Sequence, residues 1–163
     1  MAQQTSISFN LDGLEDIARK LGDSLVARVG ILGSDVARKG DDDSDLTNSE
    51  IGAIQEFGSE TANIPPRSFL RMPVETHAKE IMKSMDTPAV RKAVEAGDAV
   101  IVFKILGIAA EGFVKQAFST GGFGKWAANK PSTIDRKGSS KPLIDTGELR
   151  RSITSDVAKK GDF

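Results

Sequence analysis

The residues able to do chemistry are few. His77 is the one histidine of the chain, and Glu80 follows it at i+3. That spacing puts both on one helical face, where they can share a proton. No nucleophile or oxyanion motif accompanies them, and G-x-S-x-G, H-E-x-x-H and serine–lysine patterns are all missing. There is no cysteine, which excludes disulfides, iron–sulfur clusters and thiolate catalysis, and one histidine cannot build a His-rich metal site. Asp41, Asp43 and Asp45 fall on the first, third and fifth positions of a calcium loop, but Leu46 and Gly52 stand where Gly and Glu are required. With Asp42 they read as a solvated acidic loop. Gly121-Gly122-Phe123-Gly124-Lys125-Trp126 is not a P-loop, because Trp126 replaces the metal-holding Ser or Thr. A helix precedes it where a dinucleotide fingerprint needs a strand. Phe123 and Trp126 beside Lys125 and Lys130 are able to stack a nucleic-acid base or to anchor a neighbouring protein. The near-neutral charge favours the protein.

The elements that must position these residues follow from pattern. The chain has 163 residues, 39% apolar and 28% charged, with a net charge of −1, which suits one globular domain over 1–163. The start lacks a basic, apolar leader, and the longest apolar stretch, 99–110, contains Lys104 and Gly107 and is too short to span a bilayer. Strands are expected at 4–9, 25–32 and 151–158, from alternation or β-rich composition. Asp12-x-x-Glu15 and Thr47-x-x-Glu50 have capping-box spacing and open helices at about 12–22 and 47–57. A helix is expected from Pro73 to about Met85, a short one from Pro88 to Gly97, and a helical turn at 145–150.

Segment 98–119 is the longest helix candidate. Val102, Ile105, Leu106, Ala109 and Phe113 are expected to be buried, with Lys104, Glu111 and Lys115 on an exposed stripe. Gly107 and Gly112 mark places where another backbone lies close. The fold class expected is α+β: a small antiparallel sheet of three to four strands packed on this long, mostly buried helix. Segment 120–142 reads as a long flexible loop that orders only against a neighbouring subunit, leaving Trp126 exposed in the free chain.

Charge is uneven. Residues 1–60 carry 5 basic and 12 acidic groups, 5 − 12 = −7, and residues 61–163 carry 17 and 11, 17 − 11 = +6. Such a chain is able to dock head to flank on a copy of itself.

Two passages resemble a known family. One is Ile51-Gly52-Ala53-Ile54-Gln55-Glu56-Phe57-Gly58-Ser59 followed by Ile64-Pro65-Pro66-Arg67-Ser68-Phe69-Leu70-Arg71. The other runs from Gly124-Lys125-Trp126 through Pro131-Ser132-Thr133-Ile134-Asp135-Arg136-Lys137-Gly138 to Pro142-Leu143-Ile144-Asp145-Thr146-Gly147-Glu148-Leu149-Arg150-Arg151-Ser152-Ile153. In this order, flanking a long apolar helix, they are similar to the tail-completion or neck proteins of long-tailed bacteriophages, also called virion morphogenesis or head–tail joining proteins. The pattern departs from the commoner one at Ser68 and Ala128. The resemblance implies a structural subunit without catalytic residues, cofactor or metal. It implies self-assembly into a ring, a hexamer favoured over a dodecamer. The other implied partners are a tail terminator or tail tube protein, a head-closure or connector protein, and DNA passing through the lumen without specific binding. It places the chain at the head–tail junction of the virion, assembled in the bacterial cytoplasm, with no membrane partner. Arg67, Phe69, Arg71, Phe123, Lys125, Trp126, Arg136, Arg150 and Arg151 are the interface candidates, and Asp41, Asp42, Asp43 and Asp45 face the lumen or solvent. The alternatives are a small hydrolase using His77 and Glu80, or a nucleic-acid module using the basic 115–160 segment.

Overall fold

The computed structural model describes residues 24–32 and 46–162. The expected strand at 4–9, the helix at 12–22 and the acidic loop of Asp41, Asp42, Asp43 and Asp45 lie outside them. Mixed α and β structure is present, with one long helix packed on a sheet. The sheet has two strands among the described residues, where three to four were expected. β1 (Leu25–Ile31) pairs antiparallel with β2 (Ile153–Lys159), from Leu25 opposite Lys159 to Ile31 opposite Ile153. Two-residue alternation puts Ala27, Val29, Val157 and Ser155 on one face. Arg28 and Asp156 face the other way as a bidentate ion pair, 2.8 Å from Nε to Oδ1 and 2.5 Å from Nη2 to Oδ2.

α1 (Asn48–Phe57) starts in the expected capping box: the Thr47 hydroxyl accepts from the Glu50 N–H, and the Glu50 carboxylate accepts from the Thr47 N–H. The helix expected from Pro73 to Met85 is two helices, α2 (Arg71–Thr76) and α3 (Ala78–Lys83), broken at His77 with φ −108° and ψ 22°. The imidazole is held there by rings from two other segments, Phe113 at 4.9 Å and Phe123 at 4.2 Å between centroids. Thr87 caps α4 (Pro88–Glu95), whose first residue is a proline, where the missing N–H costs nothing.

α5 (Ala99–Thr120) spans 22 residues, about 33 Å at 1.5 Å per residue. It therefore reaches two apolar clusters. Val102 packs with Met85, Val90 and Ala93 near its start, and Val114 and Phe118 pack with Phe69, Leu149 and Ile153 near its end. Gly107 lies against the sheet, where an added Cβ would sit 3.2 Å from Ser155 Cβ. Gly112, expected to do the same, faces open space.

The stripe assignment on α5 needs correction. Val102 is buried and Lys104 exposed, as expected, but Ile105, Leu106, Ala109 and Phe113 are only half-buried. Glu111 and Lys115 are half-buried too. Glu111 accepts from Lys115 Nζ at 2.6 Å and from Ser155 Oγ at 2.7 Å. The stripe runs down the flank of α5, and at Glu111 it meets Ser155 of β2. Val100, Ile101 and Ile108 are exposed instead. Apolar residues occur nearly all round this helix, so periodicity could not tell its inner side from its outer one.

Candidate functional site

The first resembling passage folds into a corner around Glu56. This carboxylate is 6% exposed. It accepts from Ser68 Oγ at 2.6 Å and from the N–H groups of Phe69, Leu70 and Arg71 at 2.7, 2.9 and 3.2 Å. Those amides lead into α2, so Glu56 satisfies donors that a helix start leaves without partners, and the helix dipole favours its charge. Ser68 Oγ also accepts from the Met72 N–H at 2.9 Å. The residue that departs from the commoner pattern is thus a hydrogen-bonded part of the corner. Gly58, at φ +78°, makes the turn after α1, and a Cβ there would meet Ile64 O and Pro66 N at 2.9 Å.

The second passage closes the corner from outside. Arg67 is 8% exposed and has no carboxylate partner among the described hydrogen bonds. Its guanidinium donates to Ala127 O at 3.0 Å, to Ala128 O at 3.2 Å and to Asn129 Oδ1 at 3.4 Å. Burial holds its pKa below the usual arginine value. Trp126 Nε1 donates to Ser68 O at 3.2 Å, and its ring stands edge-on to Phe118 at 5.8 Å. Gly122 makes room: a Cβ there would sit 2.3 Å from the indole. Lys130 Nζ donates to Asn63 O at 3.0 Å. Within the segment expected as a loop lies α6 (Pro131–Lys137), with proline at its start and Gly138 in the left-handed region at its end. Lys137 Nζ donates to Lys141 O and Ile144 O, each at 2.7 Å. Burial lowers its pKa, Asp145 opposes that, and the charge of Arg67 adds to it. α7 (Glu148–Arg151) then delivers Leu149 and Ile153 to the core.

The interface candidates therefore divide. Phe69, with 0% exposure, is core, while Arg67 and Trp126 are spent on contacts inside the subunit. Trp126 is half-buried, where exposure in the free chain was expected. Phe123, at φ +55°, is half-buried on His77. Arg71, Lys125, Arg136, Arg150 and Arg151 are exposed. Arg150 Nε donates to Lys115 O at 3.3 Å, and Arg151 Nη1 to Thr146 O at 3.0 Å. His77 Nδ1 and Glu80 Oε1 are 4.0 Å apart, beyond hydrogen-bond reach, and His77 Nε2 is buried without a partner among the described residues.

Sequence reasoning missed Glu56 and the outer side of α5. There an open groove of about 540 Å³ lies along the helix, lined by Ala109, Gly112, Phe113 and Ser119, with Lys115 and Arg150 supplying charge. Phe57, next to Glu56, is 74% exposed, the most exposed large apolar side chain among the described residues. The described residues contain no helix long and apolar enough to cross a membrane and no cluster of His, Cys, Asp and Glu able to hold a metal. No family model, curated protein or solved structure matches the chain.

Proposed function

We propose that this chain is a structural virion protein of a long-tailed bacteriophage: a tail-completion or neck subunit that forms a ring and joins tail to head. The reading rests on the resemblance of the two passages. One observation supports it most: the passages, some sixty positions apart, meet in a single corner, through Arg67 to Ala127 and Ala128 and through Trp126 to Ser68. Residues whose side chains are consumed by backbone groups of the same subunit shape a scaffold and leave nothing to offer a substrate. Phe57 and, on α5, Val100, Ile101 and Ile108, all exposed among the described residues, are what a subunit that meets neighbours presents.

On this reading the partners are further copies in a ring, hexameric before dodecameric, a tail terminator or tube protein on one side and a connector protein on the other. DNA passes through without specific binding. No catalytic role is assigned. The test is genetic and visual. Loss of the chain should leave filled heads and finished tails unjoined, and labelled chain should appear at the head–tail junction. Joined particles without the chain would contradict the proposal.

A further inference from the structure

The most exposed large apolar side chain and the open groove lie on different elements, with the exposed carboxylate Glu60 near the first and the exposed Arg150 at the second. Phe57 sits at the end of α1, on a face shared with the exposed residues Glu50 and Ala53, and exposed Glu60 follows it. From Gly40 to Pro66 there is no Lys or Arg at all. The groove on α5 is lined by small residues and one aromatic, Ala109, Gly112, Ser119 and Phe113, with Lys115 and the exposed Arg150 at hand. Ile108, 56% exposed, continues it one turn back along the helix. Its volume, about 540 Å³, is ample for one phenyl ring. Gly112 contributes by having no side chain: a Cβ there meets nothing within 4 Å, so the space in front of it is open.

We propose that the groove is the docking site for Phe57 of a second copy of this chain. The ring enters beside Phe113 and Gly112, and Glu60 comes to Arg150. An aromatic anchor in a pocket with charges at its rim is how interfaces concentrate their energy. Knob and groove are different surfaces, so the contact is heterologous, the kind whose repetition builds a ring when its rotation closes. The inference rests on the ring reading above and names the surface through which it works.

The test uses the full chain, with mass in solution measured by sedimentation. Phe57→Asp removes the knob, and Gly112→Arg fills the groove. Both positions are open among the described residues, so melting should be retained at a concentration where the parent chain is also monomeric. The parent chain should form rings, and each variant alone should be a monomer. Mixed one to one, they should form a dimer and nothing larger, because one intact knob meets one intact groove. Rings that persist in both variants overturn the contact and leave the ring reading standing. So does a mixture that stays monomeric, since an interface between two like surfaces fails in that way. A parent chain that is monomeric at every concentration overturns the ring reading as well. Should either variant melt early, charge exchange decides: Glu60→Arg and Arg150→Glu should each weaken assembly at least tenfold, and together restore it. A double variant no better than the singles overturns the pairing.

Discussion

The Glu56 corner and the outer side of α5 treat polarity in opposite ways. At the corner a carboxylate and a guanidinium lie 6% and 8% exposed, while on α5 Val100 and Ile101 stand 53% and 44% in solvent. The difference lies in the partners each has inside the subunit. Burying a charge is tolerable when hydrogen bonds replace water. Glu56 has three backbone N–H groups and a hydroxyl, and Arg67 has two carbonyls and an amide oxygen. Among the described residues nothing covers Val100 and Ile101 on α5. The corner is therefore a device of the monomer, and the exposed side is available to something else.

The comparison breaks most sharply in the core that the corner supports. Phe69 stands edge-on to Phe118 at 5.3 Å. Phe69→Ala should cost about 3–5 kcal/mol, a large part of the ~5–15 kcal/mol of a whole domain, read by chemical denaturation. Arg67→Met removes the clamp and leaves carbonyls with lost partners. It should cost about 1.5–3 kcal/mol and shift Trp126 emission toward that of an exposed indole. An unchanged spectrum would place the 126–129 segment under other control.

Much of the chain's local order is legible before any fold is known. The capping box of Thr47 and Glu50, the proline start of α4 and the run of α5 are written in neighbouring residues, and the structure follows them within a residue or two. What joins distant segments is not. Glu56 acts on residues 12 to 15 positions away, and in a helical pattern it looks like any surface glutamate. Arg67 and Trp126 have the residue types of interface anchors, and only the fold reveals that their partners are internal. The break at His77 depends on Phe113 and Phe123, which no local spacing brings to it. α6 lies in a segment expected to be loop: Pro131 and Gly138 bracket it, but seven residues are too few to show a helical period.

Smaller effects sharpen the contrast on α5 itself. Gly112→Ala should raise monomer stability by about 0.5–1 kcal/mol, because it improves helix propensity and meets no neighbour. Gly107→Ala should not, since its Cβ presses on Ser155. Burial disfavours the charged Glu111, but hydrogen bonds from Lys115 and Ser155 and the charge of Lys115 together outweigh it and hold the carboxyl below the usual glutamate range. A depressed carboxyl contributes stability that is present above its unfolded pKa and lost as pH falls through the folded value. Lys115→Met should move that loss to higher pH, seen by following the Glu111 carboxyl in NMR. Lys104→Ala, on the exposed side, should change stability by less than about 0.5 kcal/mol.

Residues 56 and 57 are neighbours assigned opposite roles, so the most direct measurement compares Glu56→Gln and Phe57→Asp by melting and by mass in solution. Glu56→Gln should lower the melting temperature by roughly 5–10 °C, for a loss of ~2–3 kcal/mol, and still assemble below it. At a concentration low enough to keep both chains monomeric, Phe57→Asp should melt with the parent chain, and at higher concentration it should fail to assemble. The reverse outcome, an early-melting Phe57→Asp beside an unaffected Glu56→Gln, would contradict the division between a corner that holds the subunit and a surface that joins it to the next.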